Sequence, residues 1–233
     1  MRHREAADLA GSVALGVWAA FGVLAAVAVG GRGAPLELDR DLLEWSLDHR
    51  PATALALARA VTATGTGVLP YALVVVAALV TGRTARQRLG AALFGVVCLG
   101  TGQALRYGVM ELARRPRPPY EDWATQASGW AFPSGHSTTA ALTAGLLLVA
   151  VSLRAPRGKA VLWLLIGCWG AAVGLSRAYL GVHWFTDVAG GWLFAAGWLG
   201  VFLWVAARWL PGLFLAGGEP RPSTGEGSCG PRS

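Results

Sequence analysis

The run Val188-Ala-Gly-Gly-Trp-Leu-Phe-Ala-Ala-Gly-Trp-Leu-Gly-Val-Phe-Leu-Trp-Val-Ala-Ala-Arg-Trp209 holds 22 residues and a single charged side chain, Arg208. A helix needs about 20 apolar residues to cross a bilayer, so this run predicts a transmembrane helix. Working back along the chain, comparable runs extend from about Leu9 to Gly30, Leu89 to Met110, Ser137 to Leu153 and Ala160 to Leu175. Another, Val68 to Thr81, is short by itself. The Ala- and Leu-rich stretch that starts at Pro51 and ends at Gly65 and Gly67 contributes to it. The first run follows Arg2 and Arg4 but is too long for a signal-peptide core of roughly 7–15 residues, so an uncleaved first span is expected. The fold class is therefore all-α, a polytopic membrane helical bundle with about six transmembrane helices. A single membrane-embedded domain is expected over residues 1–210. A tail over 211–233, rich in Gly, Pro and Ser, is expected to be disordered.

The whole composition agrees. Of the 233 residues, 54% are hydrophobic and only 14% charged, against roughly 25% charged in soluble domains. The formal net charge of +7 does not point to nucleic acid, because no basic stripe lies on a soluble module. The basic residues fall instead in short loops, Arg83, Arg86 and Arg88 in one and Arg154, Arg157 and Lys159 in another. If six spans alternate, both loops and both termini share a side, and the positive-inside rule makes that side cytoplasmic. The polar, rather acidic segment Arg32 to Arg50 then lies outside. Within it Leu38, Leu42 and Trp45 fall at helical spacing, which predicts a short helix on the membrane surface. The three Cys have neither metal-ligand nor redox spacing.

One outward loop is basic against the rule. It contains Arg114, Arg115 and Arg117, with Arg106 just before it. Three further features converge on the same face: Pro133-Ser134-Gly135-His136 at the start of the fourth span, Ser176-Arg177 at the end of the fifth, and His183 with Asp187 before the sixth. Arg117 and Arg177 are planar, permanently charged forks suited to phosphate oxygens. Ser134 offers a hydroxyl, and Gly135 lets its backbone amide approach an anion where a helix opens. His183 and Asp187, four apart, share a face if both are helical. A carboxylate on one ring nitrogen fixes the tautomer and frees the other for attack. His136 is placed to protonate a leaving oxygen and then activate water. His183 and Asp187 are also capable metal ligands, but the surrounding arginines would repel a cation, so the site suits an anion and no metal is expected.

These residues resemble the type 2 phosphatidic acid phosphatase family, also called lipid phosphate phosphatases, whose site architecture is shared with vanadium haloperoxidases. The Pro133–His136 motif is present in full, as is Ser176-Arg177 followed by His183 and Asp187. The resemblance covers roughly Leu89 to Trp209. It departs in the first motif, Lys, six residues, then Arg-Pro. The lysine position holds Met110 if the motif ends at Arg117-Pro118, or Gly108 if it ends at Arg115-Pro116. Arg106 and Arg114, one helical turn either side of Met110, are candidates to restore the cation.

The resemblance implies an integral membrane phosphatase with no cofactor, acting on a lipid phosphate through a phosphohistidine on His183. It implies orientation by Asp187, acid and base work by His136, and phosphate binding by Arg117, Ser134, Gly135 and Arg177. It places the site on the extracytoplasmic face of the cell membrane. Undecaprenyl pyrophosphate, phosphatidic acid and phosphatidylglycerol phosphate all fit as substrates. Transfer of the phosphoryl group to an acceptor, or non-catalytic binding or transport of lipid phosphates, stay open.

Overall fold

The computed structural model describes residues 2–31, 33–154 and 158–209. Every long apolar run in them is helical. The α-helices are α1 (Arg2–Gly30), α2 (Glu37–Asp48), α3 (Ala52–Ala63), α4 (Val68–Thr81), α5 (Ala85–Ala113), α6 (Gly135–Arg154), α7 (Lys159–Tyr179) and α8 (Phe185–Trp209). Five of them, α1 and α5 to α8, are long and apolar enough to span a bilayer. The pair α3 and α4, bent by 56° at the break between them, is the sixth candidate span. Gly67, at φ +71°, takes the left-handed conformation that this break requires. The tail over 211–233 and Arg157 of the second basic loop lie outside the described residues.

The helices start earlier or end later than the apolar runs, because the polar residues at their ends continue the hydrogen-bonded turns. Thus α6 begins at Gly135 and α7 runs on through Arg177 to Tyr179. These extensions put the motif residues on rigid helix ends.

Small residues bring α8 close to α1. Gly197 faces the Trp18 ring and Gly200 faces Ala14, the close approach that packs helices within a bilayer. Trp18, Phe21, Phe132 and Phe194 form an aromatic cluster there, with Trp18 and Phe194 edge-on at 5.3 Å and Phe21 stacked on Phe132 at 5.7 Å. Phe132 is fully buried and immediately precedes Pro133, so this cluster anchors the Pro-Ser-Gly-His turn. A second core, of Val74, Cys98, Leu99, Leu142, Leu146 and Ala195, joins α4, α5, α6 and α8.

Helix α2 turns its polar face inward. Asp39 and Ser46, seven residues apart, are buried, whereas Leu38 and Trp45 are about half exposed. An outward apolar stripe suits a helix lying at a membrane interface. The inward face does something the apolar spacing did not announce, described below.

Candidate active site

The loop over 114–134 is folded down onto one end of the bundle by polar ties from four elements. Arg50 donates to the Asp122 carbonyl at 2.7 Å and Arg59 to the Ala124 carbonyl at 2.8 Å. The Ala124 amide donates to the Leu180 carbonyl at 2.9 Å, and the Trp184 indole to the Pro116 carbonyl at 3.0 Å. The ends of α5, α7 and the starts of α6, α8 are thereby gathered at one face.

His183 sits in the turn before α8 and is 4% exposed. The sequence suggested a shared helical face for His183 and Asp187, but only Asp187 is helical. It lies in the first turn of α8, and its Oδ2 accepts from the Trp184 amide at 2.9 Å, as the acidic third residue of a helix often caps the chain entering it. The same oxygen stands 3.5 Å from His183 Nδ1, longer than a hydrogen bond but within reach of one small ring rotation. The other ring nitrogen, Nε2, is 3.0 Å from Arg117 Nη1. A guanidinium only donates, so Nε2 accepts and the ring proton belongs on Nδ1, facing Asp187. Burial, then Arg117, Arg177 and His136 in turn, hold the His183 pKa well below the usual histidine value, with the Ala131 backbone opposing. The ring is neutral near pH 7, with its lone pair on Nε2.

Two arginines face it, Arg117 and Arg177, and a third, Arg106, lies behind Arg117. Arg117 is fixed by backbone carbonyls of Val182, Ser128, Gly129 and Trp130 at 2.6 to 3.1 Å. Burial lowers its pKa to about 10, Asp187 opposing and Arg106 adding, so it remains a cation. Arg177 is 3% exposed and donates to Thr62 of α3 at 3.2 Å. Arg106 is 5% exposed; its Nη1 meets the Met110 sulfur at 3.2 Å, and its guanidinium carbon lies 3.4 Å from where a Cβ on Gly135 would stand. Arg106 therefore lies against the Pro-Ser-Gly-His turn, in the neighbourhood of the motif's missing lysine. Arg114 does not. It is exposed at the left-handed end of α5 and bonds the Glu111 carbonyl. Buried Nε atoms of Arg106 and Arg177 have no acceptor among the described residues, a demand that an oxyanion would meet.

The Pro-Ser-Gly-His turn opens α6 beside this cluster. Ser134 is fully buried, its amide donates to the Asp187 carbonyl at 3.0 Å, and its hydroxyl oxygen accepts from Ser137 at 2.9 Å. His136 is partly exposed beside it. Only glycine at 191 permits this fit: a Cβ there would stand 2.9 Å from the Ser134 carbonyl oxygen and 3.2 Å from the Thr138 amide. Gly191→Ala is expected to destabilise the protein by ~1–3 kcal/mol, the usual cost of overpacking, read as a lower thermal midpoint in detergent. It should also lower kcat, because the backbone that must move carries Ser134.

Two buried charged groups went unassigned in the sequence, Arg115 and Asp39. Arg115 Nη1 donates to Asp187 Oδ1 at 2.6 Å and Nη2 to Asp39 Oδ2 at 2.8 Å, all three side chains being fully buried. The only available signal for Arg115 was its place in the Arg-Pro-Arg-Pro run, and for Asp39 its position on α2, seven residues before Ser46.

A membrane helix bundle that gathers a histidine, a capping carboxylate and buried arginines at one end defines the class, a polytopic membrane protein with a polar site at one face of the bundle. The chain belongs to the PAP2 superfamily, whose model matches residues 89–211. Phosphatidylglycerophosphatase B of Bacillus subtilis (strain 168) is 34% identical over 111 residues, covering 46% of this chain and 53% of that protein. Phosphatidylglycerophosphatase B of Escherichia coli (strain K12) is 37% identical over 81 residues, 35% of this chain and 31% of the relative. The chain thus spans about half and a third of these relatives. The crystal structure of the first transmembrane PAP2-type phosphatidylglycerolphosphate phosphatase from Bacillus subtilis superposes with a TM-score of 0.68 at 24% identity, over 84% of this chain and 94% of that one. The shared fold and the apolar helices make this an integral membrane protein.

Proposed function

We propose that this protein is a lipid phosphate phosphatase that works through a phosphohistidine on His183. The observation that carries the proposal is the buried His183 ring, with Nε2 3.0 Å from Arg117 and Nδ1 3.5 Å from Asp187. An incoming phosphate takes the Arg117 N–H that otherwise caps Nε2, and this frees the lone pair to attack phosphorus. Arg117, Arg177 and Arg106, with the Ser134 hydroxyl and the Gly135 amide at the head of α6, hold the equatorial oxygens as charge develops. His136 gives a proton to the leaving lipid oxygen, then takes one from the water that cleaves the phosphorus–nitrogen bond. Asp187 balances the ring charge while phosphate is attached. The cations here are arginines, and among the described residues no three His, Cys, Asp or Glu groups are placed to hold a metal.

A lipid is the substrate favoured by an apolar groove of about 490 Å³ beside the site. Leu42 and Trp45 of α2, Leu57 and Val61 of α3, and Leu175 of α7 line it, and it reaches Ser176 and Phe185, the neighbours of Arg177 and Thr186. The names of the relatives put phosphatidylglycerophosphate first among the three candidate lipids, ahead of phosphatidic acid and undecaprenyl pyrophosphate. The site faces outward and the termini lie in the cytoplasm. A cysteine in place of exposed Gln126, in a background without other cysteines, is expected to react with an impermeant thiol reagent on intact cells. Reaction only after lysis would invert the orientation.

The activity test is phosphate release from these three lipids by the purified protein with a chelator present. Release that persists with chelator supports the proposal, and the fastest lipid names the substrate. Product that appears only with an added acceptor points to phosphotransfer. Because burial and two arginines keep His183 unprotonated, the acid limb it sets is expected below the ordinary histidine value of ~6.5, with full activity at pH 6.5. A limb centred at or above that value would show a more exposed, protonated ring.

A further inference from the structure

His183 is served by Asp187, but Asp187 is itself held from behind. Its Oδ1 accepts from Arg115, and Arg115 reaches with its other arm to Asp39. Asp39 in turn accepts the Thr186 amide at 2.9 Å and the Thr186 hydroxyl at 2.7 Å. Thr186 also accepts from Arg115 at 2.7 Å. The result is a buried ring of four groups from three segments: α2, the loop after α5, and the start of α8.

We propose that Asp39 is a positioning residue for the catalytic pair, setting through Arg115 the orientation in which Asp187 faces His183. The proposal rests on the role assigned to His183 above. Two carboxylates share one guanidinium. Without Asp39, Arg115 would pair with Asp187 alone. The bidentate grip that a guanidinium prefers would also turn both Asp187 oxygens toward Arg115 and away from Nδ1. Asp39 keeps one Arg115 arm occupied, so Asp187 keeps an oxygen for the histidine. The other charges facing His183 are cationic or neutral: Arg117 of the loop, Arg177 of α7 and His136 of α6, with Arg106 of α5 behind. The Asp39 charge is the second of only two negative charges in this set, which is why its loss is felt.

The test uses the full chain in detergent with dioctanoyl phosphatidic acid, measuring kcat, KM and the pH profile for wild type, His183→Ala, Asp39→Asn, Asp39→Glu and Thr186→Val. Asparagine keeps an acceptor for Arg115 and Thr186 but removes the charge. Asp39→Asn is expected to lower kcat about 10-fold with KM within about two-fold, and to move the acid limb to lower pH by on the order of one unit, because a cation on His183 loses a stabilising negative charge. Thr186→Val cuts the same ring without changing its charge, so it lowers the thermal midpoint and leaves the limb in place. An Asp39→Asn limb that coincides with wild type, or a Thr186→Val limb that moves as far, overturns the proposal. Should Asp39→Asn fail to fold, Asp39→Glu decides: it keeps the charge, so its limb stays at the wild-type position, and a displaced limb overturns the proposal. Wild type that releases no phosphate, or does so equally as His183→Ala, would instead sink the assignment of His183.

Discussion

His183→Ala is expected to lower kcat by roughly 10⁴- to 10⁶-fold, the range for loss of a covalent nucleophile whose partners remain in place. The structure gives the reason for so large an effect. Nε2 is a lone pair in the arginine cluster that is nucleophilic at neutral pH, since the ring is held neutral and its proton is directed to Nδ1. The protein should still fold. The ring's partner Arg117 keeps its four backbone carbonyl acceptors without it. A thermal midpoint within a few degrees of wild type, together with near-zero turnover, meets the expectation. Residual turnover within about 10-fold of wild type would move the nucleophile elsewhere.

Arg106→Ala is the second large effect, a fall of about 10² to 10³ in kcat, as when a preorganised donor to a developing anion is removed. Arg106 packs against Gly135 and meets the Met110 sulfur, so it fills the space beside the residue that replaces the family's lysine. Met110→Lys alone would then set two cations side by side in a buried place, and little activity should be gained. In the Arg106→Ala background the same lysine has room and a task, and should recover most of the loss. That reciprocal pattern separates substitution of one cation by another from a site that is merely weakened. If Met110→Lys alone raised activity substantially, the site would be weakened and Arg106 structural.

Much of this architecture was legible in the chain because a bilayer imposes long apolar helices, and these are read from length and composition alone. Gly65 and Gly67 marked the end of the Ala- and Leu-rich stretch, but the bend between α3 and α4 was not foreseen, because its angle depends on what the two halves pack against. Ser134, Gly135, Arg177, His183 and Asp187 were visible as motifs at span ends. The choice between Arg115 and Arg117 was not, because both precede proline in one short run. The fold separates them: Arg117 turns to His183 and Arg115 to the two carboxylates. Asp39 was hidden among Glu37, Asp41, Glu44 and Asp48, acids of the same segment. Which acid is buried depends on which face α2 turns to the bundle, and its apolar stripe faces outward. That is a tertiary fact with no local signature.

The most direct test of the central claim is to look for the covalent intermediate. Purified protein is mixed with ³²P-labelled phosphatidylglycerophosphate and quenched in alkali within milliseconds to seconds, for wild type, His136→Ala and His183→Ala. The account predicts labelled protein in which the phosphate is stable to alkali and labile to acid, as phosphohistidine is. It predicts more label in His136→Ala, where the water-activating group is missing, and none in His183→Ala. Turnover by wild type with no labelled protein at any time, or label that persists in His183→Ala, would contradict it.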